Sequence, residues 1–193
     1  MLFGAMALRK SLWISLTALA GPVWADFDAT AYPPYERCAL CHGLFGQSHN
    51  AKFPHLAGQK PRYIEAQLAA FLSGDRINDG GQMSAIVTEL KPEELPVVVA
   101  WFSTQEPPPP SAAPQDSVGE KRIAELGCFE CHMDEAELVP YLSAQHPGYI
   151  EKQMTDFTTD ARGSGNIHKN LLTPVTSDIA AIAAYFASLE RPK

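Results

Sequence analysis

The pentapeptide Cys-x-x-Cys-His occurs twice, as Cys38-Ala39-Leu40-Cys41-His42 and as Cys128-Phe129-Glu130-Cys131-His132, and these runs use all four cysteines of the chain. This is the attachment pattern of c-type haem: two thiols add to the porphyrin vinyl groups, and the adjacent imidazole takes one axial site on the iron. A chain pinned twice to so large an apolar group has to fold around it. Cys38, Cys41, Cys128 and Cys131 are therefore the expected anchors of two covalent haem c groups, with His42 and His132 as the iron ligands beside them. Three other uses of the cysteines compete. A thioredoxin-like redox couple sits at a βα junction, and no alternating strand pattern surrounds either motif. A four-sulfur zinc site needs no histidine after each second cysteine. Two disulfides leave both histidines unexplained.

Residues 1–25 read as a cleaved secretory signal. Arg9 and Lys10 precede a mostly apolar run from Ser11 to Ala20, and Val23-Trp24-Ala25 offers a peptidase site. The apolar run is short for a membrane span, which needs about 20 residues. Cleavage before Asp26 leaves 168 of the 193 residues, and the formal charge of −7 becomes −9 with the loss of Arg9 and Lys10. So acidic a chain is a poor match for nucleic acid. It suits a redox partner with lysine or arginine around its docking face.

The segment 106–114, with four consecutive prolines, predicts an extended polyproline spacer rather than a packed element. It separates residues 26–105 from 115–193, each of about 80 residues and each small for a domain held by an apolar core alone. The two repeat each other. Pro54, Leu56, Gln59, Pro61, Tyr63, Ile64, Glu65, Gln67, Phe71 and Arg76 match Pro140, Leu142, Gln145, Pro147, Tyr149, Ile150, Glu151, Gln153, Phe157 and Arg162 at a constant shift of 86, whereas the motifs are shifted by 90. The second copy therefore has a loop four residues shorter after its motif. Helical periodicity follows Pro61 (Tyr63, Ile64, Gln67, Leu68, Phe71, Leu72) and recurs in Tyr149, Ile150, Gln153, Met154 and Phe157. Each copy ends in another amphipathic run: Leu95, Val98, Trp101 and Phe102, then Ile179, Ile182, Ala183, Phe186 and Leu189, the latter with Thr176 as the expected N-cap. The fold class expected is all-α, two tandem helical domains each wrapped around one haem.

With these features the chain resembles the di-haem cytochromes c of the c4 type. The likeness rests on Cys38-x-x-Cys41-His42-Gly43, on Phe53-Pro54-His55-Leu56-Ala57-Gly58-Gln59, and on Gly74-Asp75-Arg76-x-Asn78-Asp79 followed by Met83-Ser84, with a degenerate second copy of each. The resemblance implies two small helical domains packed together, export to the periplasm (where bacteria attach c-type haem), and an electron-carrying role. Similar domains also serve as the di-haem subunit of flavocytochrome c sulfide dehydrogenase and as acceptors for other periplasmic dehydrogenases. It further implies that the carbonyls of Pro54 and Pro140 accept hydrogen bonds from the ligating imidazoles, orienting them. A plain turn is the simpler reading of both prolines.

The sixth ligands are less evenly marked. Met83 stands in a polar, glycine-containing loop, with the stretch 162–170 as its counterpart loop, and is expected to present its thioether to the first iron; a gap-filling core methionine is the alternative. The second copy has no methionine there. Sliding the repeat by one deleted residue puts His168 in that place, making it the expected sixth ligand of the second iron, against an open site or an ordinary surface histidine. Met154 falls on a helix and reads as core, Met133 adjoins His132, and His146 reads as solvated. His49 and His55 read as exposed polar residues of the loop after the first motif, with one of them lining the haem edge as the alternative. Arg76 and Arg162 are either partners of haem propionates or surface residues capping helices.

Thioether sulfur favours ferrous iron and imidazole favours ferric iron, so Met83 and His168 would make the two centres unequal. Electrons would then enter through residues 115–193 and leave through residues 26–105. Six-coordinate iron leaves no vacant site, which favours a carrier over an enzyme. Catalysis at a displaceable second iron and a fixed subunit of a larger dehydrogenase are the competing classes.

Overall fold

Pro61 opens a helix because its missing amide is one the first turn leaves unpaired anyway, and its fixed φ suits the helix. In the computed structural model this helix, α2, runs Pro61–Ser73 and stops at Gly74 in the left-handed conformation. Its repeat, α7 (Pro147–Thr158), starts on Pro147 in the same way. The described residues are 31–192 except 116, 134, 135 and 164; the signal-sequence reading of residues 1–25 lies outside them. Besides α2, the first half contains α1 (Glu36–His42), α3 (Gln82–Val87) and α4 (Leu95–Ser103), the last preceded by a 3-10 turn at Pro92–Glu94. The second contains α5 (Val118–Leu126), α6 (Phe129–His132), α7, α8 (Asn166–Leu172) and α9 (Ile179–Ala187), with a 3-10 turn Thr173–Asp178 before α9. No strand occurs among the described residues, as the all-α reading expects, and none of their helices is long and apolar enough to cross a membrane.

Each half has its own apolar core. Ile64, Leu68, Val87, Val98 and Phe102 gather with Cys38 in one; Ile123, Ile150, Met154, Ile179, Ile182 and Phe186 gather in the other. Met154 is thus core, as expected. In the second half α9 lies against both α5 and α7. The approach to α5 is close enough that a Cβ on Gly119 would sit 2.2 Å from the Ala181 carbonyl oxygen, so only glycine fits there.

Three local expectations are corrected. Met83 and His168 stand in the first turns of α3 and α8, not in loops; helices of six and seven residues are too short to display a period. Thr176 lies inside the 3-10 turn, and Asp178 takes the N-cap position of α9. The proline-rich segment has no helix but is not a free spacer. The Gln47 amide donates to the Glu106 carbonyl at 3.0 Å, Pro108 is buried, and the Ser111 amide donates to the Ala187 carbonyl at 2.8 Å.

Residues 32–193 form one unit, and the seam between its halves is polar and follows the sequence repeat. The Gln59 amide group donates to the Tyr141 carbonyl and accepts from the Tyr141 N–H, both at 3.0 Å. Its repeat, Gln145, does the same to His55, at 2.9 and 2.7 Å. Arg76 donates to Gln67 in its own half (2.7 Å) and to Tyr149 (2.9 Å) and Gln153 (3.1 Å) across the seam. Arg162 mirrors it, donating to Gln153 (2.6 Å), Tyr63 (3.3 Å) and Gln67 (3.0 Å). The two arginines are therefore seam residues. Neither caps a helix on an open surface. Arg191, buried near the chain end, adds a fixed clamp by donating to the carbonyls of Ser143 in its own half and Ala57 in the other. Burial pushes its guanidinium down to about 10.

Candidate haem-binding sites

A helical turn brings Cys38, Cys41 and His42 to one side of α1, since residues three and four apart are neighbours on a helix. Tertiary contacts fix this turn from both ends. Tyr35, just before it, stacks on Trp101 of α4 at 4.0 Å with planes 6° apart, and the Trp101 indole N–H donates to the Leu44 carbonyl just after it at 2.8 Å. Arg37 holds the carboxylate of Glu94 at 3.0 Å. The chain leaves the motif through Gly43, whose φ of +77° and close approach to the Gln47 carbonyl exclude any other residue. The second motif has Met133 at that place with an ordinary φ of −107°, so the chain leaves by another turn, along the shorter loop. There α6 is pinned by Phe186 of α9, whose ring meets Phe129 edge-on at 5.8 Å and His132 at 6.3 Å.

Both histidines have the form of metal ligands. The Nδ1 of His42 is 2.9 Å from the Pro54 carbonyl oxygen, and that of His132 is 2.9 Å from the Pro140 carbonyl. A carbonyl only accepts, so Nδ1 carries the proton in each and Nε2 is left as the lone-pair donor. Burial, partly offset by that carbonyl, lowers both imidazoles' pKa and favours the neutral form. Nε2 of His42 is buried with no partner, an orphan that a bound metal would satisfy. The prolines thus do more than turn the chain.

The cysteines fit thioether anchors better than their competitors. All four are free, so none is in a disulfide, and no group of three or more candidate ligands able to hold a metal ion gathers among the described residues. Burial pushes the Cys38 thiol up to about 11, and Cys128 shifts the same way for the same reason. Redox-active cysteines need the opposite shift.

The sixth-ligand candidates reach the same regions. Asp79 holds the start of α3, accepting from the amides of Gly81 at 3.0 Å and Met83 at 2.6 Å. The Met83 side chain packs, partly buried, against the core that includes Cys38. His168 faces His132 with ring centroids 6.0 Å apart and planes 48° inclined. The two rings are near enough that both could ligate one metal ion. The Nδ1 of His168 is buried without a hydrogen bond, and burial, then the charge of Arg162, lowers its pKa. Met133 is exposed.

Two histidines differ from expectation. His55 and His146 stack across the seam, centroids 3.8 Å apart; Nδ1 of His55 accepts from the Ser48 amide at 3.0 Å, and Nε2 of His146 is 2.9 Å from the Ser48 carbonyl. His146 is thus half-buried rather than solvated. In the repeat-related place Lys60 lies over the Tyr141 ring at 4.4 Å. Burial first, then the charges of His146 and Arg191, with smaller effects from His49 and His42, lowers His55 from 6.5 to about 4. The unfolded chain then binds a proton that the folded one declines, so this contribution to stability is complete above about pH 6.5 and is lost as pH falls toward 4. Because the ring is only partly buried, the loss is on the order of 1–2 kcal/mol. A His55→Gln variant should lose less stability than the parent between about pH 7 and pH 4.5 in denaturant unfolding; equal losses would clear His55 of the effect.

The profile of the cytochrome c family matches residues 30–106. Cytochrome c4 of Pseudomonas aeruginosa is 32% identical over 200 residues, covering 94% of this chain and 98% of that one. The thiosulfate dehydrogenase electron acceptor of Thiomonas intermedia is 27% identical, with 91% and 89% covered. The crystal structure of reduced cytochrome c4 from Pseudomonas stutzeri superposes with a TM-score of 0.70 at 28% identity, over 84% of this chain and 99% of that one.

Proposed function

Since the chain belongs to the cytochrome c4 type of the cytochrome c family, we propose that it is a periplasmic electron carrier holding one haem c in each half. When bound, that group supplies the reversible one-electron couple of its iron. Cys38 and Cys41, then Cys128 and Cys131, anchor it through thioethers. His42 and His132 donate Nε2, kept neutral and aimed by the carbonyls of Pro54 and Pro140. Met83 and His168 would supply the remaining iron ligands, one in each half. Residues 26–105 and 115–193 are the two domains, and 106–114 joins them.

The observation that carries this reading is the repeated histidine–carbonyl pair beside each cysteine motif. It is supported by the orphaned Nε2 of His42. With both sixth positions filled by protein, the chain passes single electrons and catalyses no reaction. The half with a thioether is the higher-potential, electron-donating one; the half with two imidazoles is the electron-accepting one. The acidic excess favours partners with a basic docking face, and Glu130, Asp134, Glu135 and Glu137 concentrate it around the second motif. The likeness to the Thiomonas intermedia protein favours a sulfur-oxidising dehydrogenase as the donor.

Pyridine haemochrome analysis of protein matured in a host competent for c-type cytochromes should give two haems per chain. A Cys128→Ala, Cys131→Ala double variant should give one. A single haem in the parent chain, or bound zinc in place of haem, would refute the assignment.

A further inference from the structure

His42 and His132 are each aimed by a hydrogen bond at Nδ1, but His168 has no such brace: its Nδ1 is buried and unpartnered. A ligating imidazole free to turn about its own axis would hold its metal less firmly. What fixes the His168 ring is instead aromatic. Phe157 of α7 lies against it with centroids 4.6 Å apart and planes 13° from parallel. The guanidinium carbon of Arg162 is 4.8 Å from the centroid of the same Phe157 ring. Arg162 is in turn held by hydrogen bonds to Gln153 in its own half and to Gln67 and Tyr63 in the other.

We propose that Phe157 and Arg162 are positioning residues that set the plane of His168, and that Tyr63 and Gln67 hold the outer end of this stack from across the seam. The inference rests on the reading of His168 as a sixth ligand. It accounts for two identities in the repeat. Phe71 and Arg76 form the same pair in the first half, 4.5 Å apart, with the Phe71 carbonyl accepting from the hydroxyl of Ser84, the neighbour of Met83. An arginine–phenylalanine pair therefore stands beside each sixth-ligand candidate, and each arginine is bonded to the opposite half. Hydrogen-bonded side chains crossing the seam thus connect the ligand sphere of one centre to the fold around the other.

The test uses holoprotein, with the low-spin ferric electron paramagnetic resonance signals and cyanide binding as readouts. Phe157→Leu should shift the signal of the second centre and raise its cyanide affinity about 10-fold, leaving the first signal in place. Phe157→Tyr, which keeps the ring, should restore both. Tyr63→Phe removes the hydrogen bond that Arg162 donates across the seam and should shift the second signal by a smaller amount; it also carries the test should Phe157→Leu fail to mature. A purely structural role for Phe157 would lower the unfolding temperature without moving either readout, and that result overturns the proposal. His168→Ala separates the two layers. If it turns the second centre high-spin while Phe157→Leu changes nothing, the stack is wrong and the ligand right. If His168→Ala leaves the second centre low-spin and unchanged, the ligand assignment fails and the stack with it.

Discussion

In a His168→Met variant the lower of the two reduction potentials rises by roughly 0.1 V or more, and the two steps of a redox titration draw together. On the proposed ligation, a thioether at one iron and a second imidazole at the other, the parent protein should titrate in two separated steps. Thioether sulfur is the softer donor and stabilises the ferrous state. A methionine at 168 starts from the first turn of α8, the same place in its half that Met83 has in α3, so its sulfur has a comparable approach. Two potentials that already coincide in the parent, or a variant whose lower step does not move, would remove His168 from the ligand set. The accompanying spectroscopic change is the loss of one low-spin signal and the appearance of a second resembling that of the first centre.

The second large effect is on stability, at the seam. Each of Gln59 and Gln145 is buried and satisfies three backbone groups with one amide. Gln145 serves the N–H and carbonyl of His55 and the N–H of His146; Gln59 serves those of Tyr141 and the N–H of Lys60. Truncation leaves buried donors and acceptors unpaired, at about 1–3 kcal/mol each where water does not reach them. Gln145→Ala should therefore destabilise the holoprotein by about 2–5 kcal/mol, and Gln59→Ala by a similar amount. The double variant should cost less than the sum, because both residues secure one surface. Calorimetry should show one transition in the parent and two once the seam is lost. Additive losses within a single transition would mean that these glutamines stabilise each half separately.

Much of this architecture was legible in the chain. The motifs marked the two histidines that the structure pairs with the Pro54 and Pro140 carbonyls, the 86-residue repeat predicted a second copy of α2 in α7, and Pro61 and Pro147 marked the helix starts. What the sequence hid depends on distance along the chain. α3 and α8 are too short for a hydrophobic period, and their positions follow from packing and from Asp79. The role of the paired polar identities was also missed, although the signal was present. Gln59, Tyr63, Gln67 and Arg76 repeat as polar or amphipathic residues where an apolar core would not require them. Their partners stand 73 to 99 positions away, beyond any local rule. His146 was misjudged for the same reason: its stacking partner, His55, is supplied by the other half.

At the seam, a residue of one half meets a second residue of the other, while their repeats meet in the reverse sense. That is the signature of an isologous contact, the kind two identical subunits make about a two-fold axis. The protein is built like a homodimer whose two subunits share one polypeptide. A contact this rich in glutamine, arginine and tyrosine resembles the weaker, transient class of interface, from which separate subunits readily dissociate. The proline-rich segment between the halves, hydrogen-bonded to Gln47 in one and Ala187 in the other, keeps each partner beside its mate at any dilution.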